Sequence, residues 1–335
     1  MLMKARCILF TGVNQVEIGE TELPAPGADD LVLETVMSCI SPGTELRCLS
    51  GEQDGLGRHS FPFIPGYAIV GRVLKADAAG INPTGSLVFS AGNRNAAVRC
   101  AWGGHVSHAV VPAASAYAIP KTISLTNACL LKLAAISHRG LRLSDYRAGE
   151  QVIVVGLGPI GQLAARLFKA AGAEVLSTDL SVERVALAQA AGLKAVPLGA
   201  NGDVSALRAL MPSGAEIVVD ATGYGAAIRT SAGLVVDKPW DESNSAPGRL
   251  IIQGSYGGDL AFPQSVAFSK ELRVIWPRDS QLSDMENVGR QMESGALNAE
   301  DLVSHVHPVS SAAEVYAELR SAKKSLLTAV FDWRQ

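Results

Sequence analysis

The 335-residue chain is 48% hydrophobic and 18% charged, with 33 glycines and 16 prolines, which excludes a disordered or collagen-like chain. Its length exceeds what one hydrophobic core usually serves, so two domains are expected. With 29 basic and 32 acidic residues the formal charge is −3, leaving no cationic excess for a nucleic-acid partner.

The first seven residues carry early charge but no long apolar region, so no signal peptide is expected. Apolar stretches are broken well before 18 residues, and no membrane span is expected either. Cys7, Cys39, Cys48, Cys100 and Cys129 are scattered and include no CxxC, which suits reduced thiols in a cytoplasmic protein. Residues 1–120 are rich in Gly, Pro and β-branched side chains. Short runs at 31–36 and 68–73 read as strands of an irregular β domain. From about residue 125 strands and helices alternate. Residues 152–155 form an all-apolar run, expected as a strand buried on both faces. Ile160, Leu163, Ala164, Leu167, Phe168 and Ala171 then mark one helix face, stopped by Gly172.

A strand follows at 174–179, then a helix at 181–191 with Ser181 as its N-cap. The alternation continues with a helix at 204–211, a strand at 215–221, a helix at 226–236, and strands at 249–254 and 272–276. Such alternation predicts a doubly wound parallel sheet. The polar, Pro-flanked segment 237–247 is longer than most helix-to-strand links. A helix at 312–320 and a strand at 327–332 are expected to return to the first domain. The division is therefore a β domain over 1–124, a nucleotide domain over 125–280, and a return over 281–335.

Gly156-Leu157-Gly158-Pro159-Ile160-Gly161 is a GxGxxG motif placed after a buried strand and opening an amphipathic helix, the context the motif requires. Gly156 permits the tight turn, Gly158 lets the backbone approach a pyrophosphate, and Gly161 brings helix and sheet together. The first turn of the helix, with Pro159 and Ile160, presents unpaired N–H groups to phosphate. Asp179 ends the next strand, 18 residues after Gly161. A carboxylate there accepts ribose hydroxyls and repels a 2′-phosphate, which points to NAD. Arg184, one turn into the next helix, is either a surface cation or a support for an adenosine phosphate.

On these motifs, and on Phe63-Ile64-Pro65-Gly66-Tyr67-Ala68, Gly104-His105-Val106-Ser107-His108, Asp220-Ala221-Thr222-Gly223 and 248–254, the chain resembles the medium-chain dehydrogenase/reductase superfamily nearly end to end. The stretch Ile40-Ser41-Pro42-Gly43-Thr44-Glu45 is similar to the branch grouped with bacteriochlorophyllide hydroxyethyl dehydrogenase. The resemblance implies an irregular GroES-like catalytic domain beside a Rossmann domain. It also places Thr222 and Gly254 at the cofactor, and implies assembly as a homodimer or tetramer through the sheet edge near Gly254 and Trp276.

The departures from the family pattern decide the chemistry. Zinc-dependent relatives place Cys, His-Glu and a third ligand where this chain has Ser41, Tyr67-Ala68, and Leu131 or Lys132. Zinc needs thiolate, imidazole or carboxylate, so no metal is expected. The four-cysteine structural-zinc loop is also missing. A shifted site using Cys39 with Cys48 or His59 is weighed against small buried thiols, which is the reading adopted.

Without zinc a side chain must manage the alcohol proton. Tyr67 is the first candidate, set against a core tyrosine with a satisfied hydroxyl. Lys132, in an apolar helix, is the second, set against a snorkelling surface lysine. Thr44 is a relay candidate, in a loop with Ser41 and Glu45, and Glu45 is expected to hold that loop through backbone hydrogen bonds. His138 is expected to be structural or near the nicotinamide ribose, and His59, His105 and His108 to be surface or core residues.

The expected activity is zinc-independent, NAD-dependent hydride transfer to or from a secondary alcohol or polyol, sugar derivatives included. The alternatives are a zinc-free NADPH-dependent enone or quinone reductase, against which Asp179 counts, and a non-catalytic dinucleotide sensor.

Overall fold

Successive side chains of a strand point to opposite faces, so an unbroken apolar run needs cover on both sides. Strand Gln151–Val155 meets that need. Val152 and Val154 pack with Ala164, Phe168 and Val185, while Ile153 and Val155 pack with Leu207, Met211 and Leu234. The computed structural model describes residues 3–53, 56–57, 60–93, 96–240, 246–321 and 326–335, so His59 and part of the 237–247 segment lie outside the described residues.

The chain forms two units, Met1–Lys132 with Met285–Gln335, and Leu133–Asp284. In the second unit six parallel strands run in the order Lys194–Pro197, Glu174–Asp179, Gln151–Val155, Ile217–Asp220, Arg249–Ile252, Arg273–Ile275. The chain leaves the central strand Gln151–Val155 in both directions. That switch point opens a crevice beyond the carboxyl ends of the strands, the place where such sheets bind nucleotides. The observed helix Val182–Ala190 has Ser181 as N-cap, its hydroxyl accepting from the Arg184 amide. The expected helix at 226–236 is shorter, a 3₁₀ turn Gly225–Ala227 followed by Ile228–Leu234. Its last expected residues are diverted because Val235 bridges in parallel to Ala215.

The first unit is built on a mixed sheet in the order Val303–Pro308, Thr328–Asp332, Asp30–Cys39, Ile69–Lys75, Leu87–Ser90, Tyr117–Ala118, with His108–Pro112 also paired to Asp30–Cys39. The C-terminal strand Thr328–Asp332 lies antiparallel to Asp30–Cys39, with Val330 opposite Cys39. The fold class is the one expected: an irregular GroES-like mixed sheet plus an all-parallel Rossmann-type sheet. Among the described residues no helix is long and apolar enough to cross a membrane.

One local expectation is corrected. Residues 41–45 do not form a loop. Pro42–Ser50 is a helix with Ser41 as N-cap, and Thr44 and Glu45 lie in its first turn. Proline at N1 costs this helix nothing because that N–H has no intrahelical acceptor, and the first-turn carboxylate complements the helix dipole.

Candidate functional site

The glycines of the turn after Val155 each answer a different steric demand. Gly156 has a φ of 91°, and a Cβ there would lie 2.9 Å from the Thr222 amide nitrogen. At Gly161 a Cβ would fall 1.8 Å from the carbonyl oxygen of Gly156, so only glycine lets helix Pro159–Ala170 close on the strand. At Gly158, the N-cap, a Cβ would meet nothing within 4 Å. The backbone there opens onto space beside helix N–H groups that have no intrahelical acceptor, a cradle that fits a pyrophosphate.

Thr222 and Gly254 close the far side of this turn. A Cβ on Gly254 would lie 2.6 Å from the Gly223 amide. The 220–223 segment is locked by Asp220, which is fully buried at the end of its strand. Its carboxylate accepts from the Thr222 amide (3.0 Å), the Thr222 hydroxyl (2.7 Å), the Ser231 hydroxyl (2.6 Å) and the Tyr256 hydroxyl. Burial, with the Asp220 charge beside it, drives the Tyr256 phenol far above its ordinary range, so it remains a donor. Sequence reading missed Tyr256 and the role of Asp220. The Asp-x-Thr spacing of an Asx turn was the available signal.

Asp179 sits where the ribose argument needs an acid, but its oxygens already serve the protein. Oδ2 accepts from the Leu157 amide at 2.6 Å and Oδ1 from the Ser181 amide at 2.8 Å, with Arg184 Nη1 3.7 Å from Oδ2. A carboxylate has about four lone-pair directions, so Asp179 keeps acceptor capacity beyond these two bonds. Arg184 is thus placed against the carboxylate.

In the first unit Tyr67 is 7% exposed, and its hydroxyl hydrogen-bonds to the Ser41 hydroxyl and, at 3.3 Å, to that of Thr44. A phenol has one hydrogen and two acceptors here, so at any moment one neighbouring hydroxyl can donate back. The cluster can pass a proton in either direction. Trp102 packs edge-on to the Tyr67 ring at 5.3 Å. Thus the structure brings Tyr67, Thr44 and Ser41 together, and it puts Lys132 in the first turn of helix Leu131–Leu143, buried.

Beneath the cluster Glu45 makes the backbone hydrogen bond expected of it, and it also joins a buried set with His105 and Tyr316 that sequence reading passed over. Glu45 Oε1 accepts from the Ser41 amide at 2.7 Å. Its Oε2 meets His105 Nε2 at 2.9 Å and accepts from the Tyr316 hydroxyl. His105 Nδ1 contacts the Ser38 hydroxyl at 2.8 Å, and Trp333 Nε1 donates to that hydroxyl at 2.9 Å. His138 is engaged elsewhere, with Nδ1 2.9 Å from Asp284. His108 is partly exposed beside the Ser107 hydroxyl, 3.1 Å away.

A zinc ion does not fit these groups. Hydroxyls stand at the family's ligand positions, and the nearest imidazole and carboxylate hold each other. Cys39 is fully buried, its thiol directed to the Ile40 carbonyl at 3.4 Å and pushed up to about 12 by burial despite the Thr328 hydroxyl. It is a neutral thiol, not a thiolate ligand. Among the described residues no three His, Cys, Asp or Glu side chains are arranged to hold a metal.

Residues 159–275 match a family model described as zinc-binding dehydrogenase. The chain is 28% identical to 2-desacetyl-2-hydroxyethyl bacteriochlorophyllide A dehydrogenase of Cereibacter sphaeroides, covering 99% of both chains. It is 27% identical to L-galactonate-5-dehydrogenase of Escherichia coli, over 89% of this chain and 90% of that one. The solved structure of L-idonate 5-dehydrogenase from Escherichia coli shares the fold, with a TM-score of 0.83, 16% identity and 99% of both chains covered.

Proposed function

We propose that this chain is a member of the medium-chain dehydrogenase/reductase superfamily, and within it a zinc-independent, NAD-dependent oxidoreductase acting on a secondary alcohol or polyol, sugar derivatives included. The observation that carries the reading is the hydroxyl cluster of Tyr67, Ser41 and Thr44, in which Tyr67 and Ser41 take positions where zinc relatives place metal ligands. The names of two similar proteins describe dehydrogenation of a hydroxyethyl compound and, at position 5, of a sugar acid, both hydroxyl-bearing substrates.

Gly156, Gly158, Pro159, Ile160 and Gly161 would hold the pyrophosphate of a bound dinucleotide, Asp179 would take its adenosine ribose, and Thr222 and Gly254 would shape the opposite wall. A bound nicotinamide supplies the hydride acceptor or donor. The carbinol oxygen must shed its proton as hydride leaves carbon. As Tyr67 takes that proton it gives up its own through the Thr44 hydroxyl, which is partly exposed, to solvent water, and in the reverse direction it donates to the carbonyl oxygen and is reprotonated from water by the same route. Lys132 is the second candidate for this role.

Tyr67→Phe keeps the ring and its packing against Trp102 and deletes only the hydroxyl. Turnover is expected to fall by about a hundredfold to ten-thousandfold, with NADH affinity unchanged because the phosphate turn belongs to the other unit. Near-wild-type turnover in Tyr67→Phe together with its loss in a folded Lys132→Met would transfer the role to the lysine.

A further inference from the structure

We infer that His105 is a positioning residue that sets the register of the two segments carrying the Tyr67, Ser41 and Thr44 hydroxyls. The inference rests on the reading that Tyr67 handles the proton. The imidazole touches both segments. On one side Nε2 lies 2.9 Å from Glu45 Oε2, and the other oxygen of Glu45 holds the Ser41 amide at 2.7 Å. On the other side the ring lies against Gly66, the residue before Tyr67. Gly66 has a φ of 87°, and a Cβ there would fall 2.6 Å from the imidazole Cδ2. The backbone repeats the clamp: His105 N donates to the Pro65 carbonyl at 3.0 Å, and Gly104 N to that of Gly66 at 2.7 Å.

Everything around the pair orients it. As a carboxylate Glu45 is acceptor-only, and the Ser41 amide, the Tyr316 hydroxyl and His105 Nε2 converge on it. Ser38, itself receiving the Trp333 indole N–H, fixes the far ring nitrogen. Both side chains of the pair are 0% exposed. A buried ionisable pair is weak evidence for stability, because apolar side chains of similar volume often serve as well. Its distinctive contribution is direction, and a hydroxyl relay depends on direction. A misplacement of about 1 Å in such a group can cost roughly a hundredfold in rate.

The test uses the full-length protein with His105→Leu, His105→Gln, Glu45→Gln and Tyr67→Phe. Turnover is followed with NAD and a panel of butane-2,3-diol, L-galactonate and sorbitol, NADH affinity by fluorescence, and the position of Tyr67 by crystallography. His105→Leu is expected to separate the Tyr67 hydroxyl from Ser41 and Thr44 and to lower kcat about tenfold to a hundredfold. NADH affinity should stay unchanged, and His105→Gln, whose amide can still donate to Glu45, should recover part of the loss. Should His105→Leu fail to fold, Glu45→Gln, which keeps the shape of its side chain, gives the same readouts. An intact hydroxyl cluster in the variant crystal overturns the inference whatever the turnover. A displaced cluster with unchanged kcat overturns it too, provided Tyr67→Phe is impaired. Wild-type turnover in Tyr67→Phe instead overturns the reading on which the inference rests, and the positioning role falls with it.

Discussion

The carboxylate of Asp179 does two jobs at once. In the proposed reading it takes the adenosine ribose, and in the structure it ties the Leu157 amide at 2.6 Å. Asp179→Ser should therefore weaken NADH binding about tenfold and narrow the gap between NADH and NADPH, since a serine neither repels a 2′-phosphate nor spans the turn. Titration of both cofactors by fluorescence checks this. An unchanged preference would remove Asp179 as the discriminator. Arg184, 3.7 Å away, already offsets part of the charge, so the wild-type preference should be moderate. The relation between Tyr67 and Ser41 is of another kind. Sequence placed both at metal-ligand positions, but their hydrogen bond was not foreseeable from residues 26 apart.

Helix Leu282–Glu293 buries Met285, Val288 and Met292 and is also fastened by a single polar residue, Asp284. It accepts from Arg142 Nε at 2.8 Å, Arg142 Nη2 at 3.0 Å and the Gln281 amide at 2.8 Å, and pairs with His138. Burial opposes its ionisation, but the hydrogen bonds from Arg142, the Gln281 amide and His138 prevail and hold its pKa down to about 2. A carboxyl whose folded pKa lies below its unfolded value stabilises the fold above the unfolded value and loses that contribution as pH falls through the folded one. Asp284 therefore supports the fold above about pH 4, and the support fades toward pH 2. Asp284→Asn should cost about 1–2 kcal/mol at pH 7, a figure reduced for the solvent-screened side of Arg142, and should flatten the acid limb of the unfolding curve. Urea unfolding at pH 7 and pH 2.5 measures both. An equal deficit at the two pH values would mean the loss is one of packing and not of charge.

For the whole molecule the decisive feature is the free edge of the parallel sheet. Among the described residues strand Arg273–Ile275 has a neighbour on one side only, and Trp276 just beyond it is 55% exposed and packs edge-on to Phe262 at 5.7 Å. An unpaired edge flanked by exposed aromatic surface is a template for a second copy. We expect light scattering to give a dimer or tetramer, and a species near 35.0 kDa at micromolar concentration would reject the assembly. We also expect purified protein to lack stoichiometric zinc after mild dialysis, because the candidate positions offer hydroxyls and neutral thiols. About one tightly held zinc per chain by elemental analysis would reopen the metal-free reading.

Sequence by itself determined the parts whose physics is local. The apolar run Val152–Val155, the glycine spacing after it and the helix face from Ile160 onward each follow from neighbours within a few residues, and they foretold the Rossmann-type sheet and the strand, glycine turn and helix at its centre. The lack of ligand-type side chains at 41 and 67 was equally plain, since it depends on residue identity alone. Tertiary structure alone decided what those substitutes do. Helix Pro42–Ser50 escaped notice because residues 41–45 read as a loop, while it is closed by Gly51, left-handed at φ 76° with its N–H bonded to the Arg47 and Cys48 carbonyls, and by Cys48 and Leu49 packed in the core. His105 looked like an ordinary core residue because its partners, Ser38, Glu45 and Gly66, are up to 67 positions away, and Tyr316 joins the same carboxylate from 271 residues beyond Glu45. Hydrogen bonds between such distant groups leave no periodicity along a chain, so only the folded sheet, which brings the strand ends together, discloses them.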